Sequence, residues 1–124
     1  MKILFAASEV APFVKTGGLA DVAGSLPVAL AGMGHDVRVI LPLYEAIGDF
    51  WRSKMTFLKY YYLRLSWRSI YCGLFSLEQD GVTYYFVDNE AYFKRPGIYG
   101  HYDDGERFAY FSRAIVESPG QLDW

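Results

Sequence analysis

Cys72 is the only cysteine in the chain, so no internal disulfide and no multi-cysteine metal site can form, which fits a reducing compartment. Basic clusters longer than a Lys/Arg pair are missing and the formal net charge is −2, which removes the electrostatic footprint of a nucleic-acid binder. No stretch approaches the roughly 20 apolar residues of a membrane span. The apolar run that follows Met1-Lys2, from Ile3 to Ala7, falls short of the roughly 7 to 15 residues of a signal-peptide core. A cytoplasmic protein without membrane or nucleic-acid partners is therefore expected. Internal repeats, low-complexity tracts and linkers are lacking as well, and 124 residues leave room for one domain around one core.

What is present is the composition of a folded domain, 52% hydrophobic and 21% charged. Its eleven tyrosines suit carbohydrate stacking, but packing within a small sheet is the commoner use of the residue. Lys2 to Ala7 is nearly continuous in apolar residues and reads as a strand buried on both faces of a parallel sheet. Ser8 to Val14 then leaves the strand, with Pro12 unable to donate to a ladder. The loop is thus placed at the carboxyl end of the strand, where open α/β sheets bind ligands.

From Leu19 to Met33 the residues Leu19, Val22, Ala23, Leu26, Ala29, Leu30 and Met33 recur at helical spacing and define an expected buried face, with Pro27 predicting a kink or restart. Gly32 and Gly34 can end that helix, and Asp36 to Pro42 reads as a second short buried strand. His35 has no Cys, His or Glu at metal-ligand spacing and reads as structural; no metal is expected.

Leu43 to Leu65 has scattered aromatics without a clean period and is expected to be irregular, with at most one short strand. Trp67 to Leu77 and Val82 to Val87 flank an Asp80-Gly81 turn and read as a hairpin whose second arm can join the sheet. Asn89 to Gly105 reads as a long loop punctuated by Pro96, Gly97 and Gly100. Asp103 and Glu106 have capping-box spacing ahead of a final helix, with Ser118-Pro119-Gly120 predicted to stop it. The expected fold is α/β, a parallel sheet with an added β-hairpin.

The stretch Lys15-Thr16-Gly17-Gly18-Leu19-Ala20-Asp21 sets a cation and two glycines at a helix start, where bare N–H groups and the positive helix end favour an anion. A plain turn with a solvated Lys15 is the equal alternative on these residues alone. Spacing excludes two common nucleotide loops. A dinucleotide fingerprint needs Gly-x-Gly-x-x-Gly directly after the first strand and an acid after the second, and neither is present. An ATPase-type loop needs its lysine after the glycines, whereas Lys15 precedes Gly17. A positive charge beside close-approach glycines suits a departing diphosphate, whose negative charge grows as a glycosidic bond breaks.

The opening Met1-Lys2-Ile3-Leu4-Phe5, Ser8-Glu9, Ala11-Pro12-Phe13, Lys15 to Val22 and Gly34 to Val39 resemble the amino terminus of bacterial glycogen synthases and the related starch synthases. Phe86 to Asn89, Arg95 to Gly100 and Glu106 to Ala109 continue the likeness. It implies a partial Rossmann-like amino-terminal domain of a glycosyltransferase-B fold and a retaining transferase moving glucose from ADP-glucose to the non-reducing end of an α-1,4-glucan, without a metal or cofactor. By the same resemblance Lys15 contacts the donor diphosphate, Gly17 and Gly18 allow its approach, and Glu9 and Asp21 lie near the sugars, with Lys15 and Glu9 as the catalytic pair. Tyr102 corresponds to the family's cleft tyrosine, although the Tyr102-Asp103-Asp104-Gly105 segment is one residue shorter here.

Family chains run on past a segment like Leu122-Asp123-Trp124 into the rest of this domain and a second one. The expectation is therefore an amino-terminal fragment, inactive alone and with an open sheet edge through which it self-associates. A self-contained nucleotide- or glucan-binding module is the rival reading.

Overall fold

The computed structural model describes all of residues 1–124. Lys2–Ala6 forms β1 and Asp36–Pro42 forms β2, paired in parallel from Lys2 opposite Asp36 to Ala6 opposite Ile40. The crossover between them carries helix α1, Gly18–Gly32. The chain then makes a short helix α2, Asp49–Arg52, and three strands, β3 (Thr56–Leu65), β4 (Arg68–Gln79) and β5 (Val82–Asp88). β5 pairs parallel to β2, and β4 and β3 extend the sheet antiparallel, giving the order β1-β2-β5-β4-β3. The parallel sheet with an added hairpin is as expected. Asp80 and Gly81 turn that hairpin with φ of 54° and 76°, the left-handed pair that a two-residue turn between twisted strands requires.

β1 ends the sheet with one edge unpaired, and α3 (Glu90–Phe93) and α4 (Asp104–Gln121) complete the fold. The Phe13 ring packs on Tyr84 and Phe86, and Ala11 N–H donates to Ala20 O, so the loop and α1 share one face of the sheet. α4 covers the other, where Tyr110 and Cys72 are buried. No helix is long and apolar enough to cross a membrane.

Several expectations need correction. The segment Leu43 to Leu65 is ordered: it contains α2 and the ten-residue β3. Aromatics on both faces hide its alternation, Tyr61, Leu63 and Leu65 turning inward and Tyr60, Tyr62 and Arg64 outward, and a register shift between Phe57 and Lys59 breaks the period.

On α1 the buried residues are Ala20, Ala23 and Pro27, whereas Leu19, Val22, Leu26 and Met33 are exposed. Small side chains are buried because the helix lies close against the preceding loop: a Cβ on Gly24 would sit 2.6 Å from the carbonyl oxygen of Ala11. The helix also runs through Pro27 without a restart.

α4 likewise continues through Pro119 to Gln121. The proline removes the amide that Ile115 O would accept from, and the Ser118 hydroxyl donates to that oxygen instead at 2.9 Å. Finally, the capping box does not form. Asp103 makes no side-chain cap bond and instead grips Arg95, while Glu106 pairs with Arg68. The stretch from Asn89 is not all loop either, since the Asn89 side chain accepts from Tyr92 N–H and caps α3.

Replacing Gly24 by Ala forces the Ala11 loop off the helix and is expected to lower stability by about 1–3 kcal/mol in urea unfolding, as overpacking does. Gly32→Ala, with nothing within 4 Å of the added Cβ, should leave stability equal or slightly higher.

Candidate functional site

At the carboxyl end of β1 the chain folds back on itself. Val10, Phe13 and Val14 are buried, and Val10 O accepts from the N–H groups of Phe13 and Val14 at 3.0 Å each. Phe13 stands edge-on to Trp51, Tyr84 and Phe86, with ring centroids 4.8, 4.9 and 5.2 Å away. These contacts are worth more than their area alone because edge-to-face aromatic pairs add a specific electrostatic attraction. The apolar anchor leaves Lys15, Thr16 and Gly17 projecting at the start of α1.

Glu9 lies beneath them and is only 2% exposed. Its Oε1 accepts from Thr16 N–H at 3.2 Å and Gly17 N–H at 3.0 Å. Its Oε2 accepts from the Thr16 hydroxyl and, at 2.9 Å, from the Tyr99 hydroxyl. The Ser8 hydroxyl is in turn 2.6 Å from Tyr99, and Tyr44 donates to Ser8 O at 2.7 Å. Burial opposes ionisation of Glu9, yet the donors of Thr16, Tyr99 and Gly17 outweigh it and hold the carboxyl down at about 2. At neutral pH it is an anion closing the loop from inside.

Above that carboxylate, Lys15 Nζ donates to both oxygens of Asp21 at 2.8 Å, and both side chains are more than half exposed. Such a surface pair holds weakly and leaves the ammonium free to exchange partners. α1 begins just after Gly17 with no side-chain cap, so the N–H groups of its first turn, from Gly18 on, remain open. Gly17 has φ −162°, ordinary extended backbone, and a Cβ on Gly17 or Gly18 would meet nothing within 4 Å. Neither the backbone conformation nor internal packing requires glycine there. Their lack of side chains bares the loop to whatever lies outside.

A second framework brings Tyr99 to Glu9. Arg107 is fully buried: its Nε donates to Tyr92 O at 2.7 Å, and its Nη1 to Ile98 O and the Asp104 carboxylate at 2.8 Å each. Asp104 also accepts from the N–H groups of Gly100 and His101, and Arg95 clasps Asp103 with two bonds. Gly97 and Gly100, with φ of 76° and 90°, give the turn on either side of Tyr99.

Of the residues singled out from sequence, Glu9, Lys15, Gly17, Gly18 and Asp21 are thus brought together. Tyr102 is not. It is 99% exposed and makes no hydrogen bond, whereas Tyr99 reaches the carboxylate. Thr16, Tyr99 and Arg107 were missed as site-building residues; the glycines flanking Tyr99 were the available signal. No group of His, Cys, Asp and Glu is arranged to hold a metal ion. Cys72 lies apart, buried, with its thiol pushed up by that burial.

The family model described as the starch synthase catalytic domain matches residues 2–124. The chain belongs to that family. Among curated relatives it is 55% identical to a glycogen synthase of Clostridium botulinum (strain Eklund 17B / Type B) over 124 residues, all of this chain and 26% of that protein. It is 60% identical to a glycogen synthase of Geobacillus stearothermophilus over 117 residues, 94% of this chain and 24% of that one.

The catalytic domain of starch synthase IV from Arabidopsis thaliana, solved bound to ADP and acarbose, superposes with a TM-score of 0.85 at 30% identity, covering 98% of this chain and 25% of that one. The chain spans about a quarter of the length of the curated relatives it matches.

Because the folded value of Glu9, about 2, lies below its ordinary 4.5, its contribution to stability is complete above about pH 4.5 and is lost as pH falls through 2. Urea unfolding should show a loss between pH 5 and pH 2 that is smaller in Glu9→Gln. At pH 7 that variant should be less stable by about 1–3 kcal/mol, since an amide cannot accept at both ends.

Proposed function

We propose that this chain forms the donor-diphosphate side of a glucosyltransferase site, which in the longer protein moves glucose from ADP-glucose to the non-reducing end of an α-1,4-glucan with retention of configuration. The observation that carries the reading is the loop geometry: an ionised Glu9 fixes Thr16 and Gly17 from within, leaving an exchangeable lysine and two bare glycines facing outward. A starch synthase of the same fold that holds ADP together with acarbose supports it.

In this reading Lys15 leaves Asp21 for the departing diphosphate as negative charge develops there, and Gly17 and Gly18 let the phosphates approach the backbone at the helix start. Asp21 then faces the sugars. Glu9, sequestered by four hydrogen bonds, contributes to catalysis by holding the loop rather than by taking a proton. Tyr102, free in solvent, is available to the glucan in the cleft. The protein acts in the cytoplasm and needs no metal. These 124 residues assayed alone are expected to be inactive and to self-associate through the open edge of β1.

Incubation of the isolated chain with radiolabelled ADP-glucose and glycogen is expected to give no transfer and, by titration, at most weak donor binding. Measurable transfer, or saturation at micromolar donor, would favour a self-contained module. In a full-length glycogen synthase carrying this segment, Lys15→Ala should lower kcat about ten- to a hundred-fold with a smaller change in KM, as expected for one charged hydrogen bond felt in the transition state.

A further inference from the structure

Tyr99 reaches the Glu9 carboxylate with little packing to steer its ring. The residue is 44% exposed, and its one aromatic neighbour is Phe108, with centroids 5.8 Å apart and planes at 42°. Where its hydroxyl falls is therefore decided by its backbone. Both peptide groups beside it are held from α4. The Ile98 carbonyl, immediately before Tyr99, accepts from Arg107 Nη1 at 2.8 Å, and the Gly100 N–H, immediately after, donates to Asp104 Oδ2 at 2.8 Å. Arg107 Nη1 also donates to Asp104 Oδ1 at 2.8 Å, so one ion pair joins the two grips.

The pair is anchored in the core. Arg107 is fully buried, its Nε donates to Tyr92 O at 2.7 Å, and its guanidinium carbon lies 5.6 and 5.4 Å from the ring centroids of Phe93 and Phe108. Its Nη2 has no hydrogen-bond partner. A buried guanidinium with one nitrogen unsatisfied is a poor source of stability, because desolvation offsets much of the attraction it gains. What it supplies is direction. A planar fork meets Tyr92 O, Ile98 O and Asp104 together, which the single nitrogen of a lysine cannot match.

We propose that Arg107, paired with Asp104, is a positioning residue for glucose transfer: it sets Tyr99 on Glu9, and through that carboxylate it sets the backbone from which Lys15 and the open helix start face the donor diphosphate. This assignment rests on the donor-site reading, and Arg107, being fully buried, touches no substrate. The coupling runs through the two ends of one carboxylate. Oε2 of Glu9 takes the Tyr99 hydroxyl at 2.9 Å, while Oε1 takes the N–H groups of Thr16 and Gly17. Displacing Tyr99 frees one oxygen to turn, and the other turns with it under the loop. Misplacement of roughly an ångström is enough to lower a rate by up to about a hundredfold.

Kinetics of a full-length glycogen synthase carrying this segment test the proposal, using Arg107→Lys, Tyr99→Phe, the two combined, and Lys15→Ala as the reference for the donor site. Arg107→Lys is expected to lower kcat about tenfold with KM for glycogen unchanged, and Tyr99→Phe should lower it comparably. Combined, they should lose no more than about twofold beyond the more affected single variant, because both break the same link. Should Arg107→Lys fail to fold, the isosteric Asp104→Asn takes its place, with about a threefold fall in kcat and the same non-additivity with Tyr99→Phe.

An unchanged kcat beside a lowered melting temperature makes Arg107 purely structural and overturns the proposal. So do losses that multiply in the double variant, since independent effects do not pass through Tyr99. The donor-site reading fails separately, if Lys15→Ala leaves kcat intact. A fall in Lys15→Ala together with multiplying losses at Arg107 and Tyr99 counts against the positioning role alone.

Discussion

The arrangement of the whole site depends on one buried carboxylate. Glu9 leaves β1 pointing under the loop that follows, and its two oxygens take the backbone of Thr16 and Gly17 together with two hydroxyls. A charged acceptor in a poorly solvated place is costly when unpartnered and strongly held when every lone pair is used, so the loop has one geometry in which that cost is offset. Fixing Gly17 also fixes where α1 begins. The helix start is therefore set by a side chain located before the loop rather than by a cap of its own.

The sheet and the later loops converge on the same point. Arg107, extending from α4, gathers the carbonyls of Tyr92 and Ile98 and the Asp104 carboxylate, and the segment it restrains delivers Tyr99 to Glu9. Residues about ninety positions apart thus share one acceptor. Burying a guanidinium in this way is weak as a source of stability but effective in fixing one arrangement, because its carbonyl and carboxylate partners have few alternatives once enclosed.

Much of this was readable in the chain. The apolar strands, the Asp80-Gly81 hairpin and the lysine-glycine loop each carry a local signature that a short window contains. What stayed hidden depends on partners distant in sequence. Leu19, Val22, Leu26 and Met33 have the spacing of a buried stripe and are exposed, because the helix is drawn in along Ala20, Ala23 and Gly24 by contact with Ala11. Asp103 and Glu106 satisfy a capping pattern, but two arginines compete for them more strongly. β3 was obscured because it carries aromatics on both faces. Tyr102 drew attention by its neighbours in sequence, while Tyr99 is the one whose hydroxyl arrives, and only the turn set by Gly97 and Gly100 decides between them.

The contact between Lys15 and Asp21 has a consequence for how an anion reaches this surface. With the two charges 2.8 Å apart, the pair has no net charge at a distance and projects only a short-ranged dipole. An approaching phosphate is not drawn in from afar; it exchanges with the carboxylate after arrival. Encounter at this loop should accordingly respond little to ionic strength, in contrast to sites that collect their ligands with an open field of positive charge.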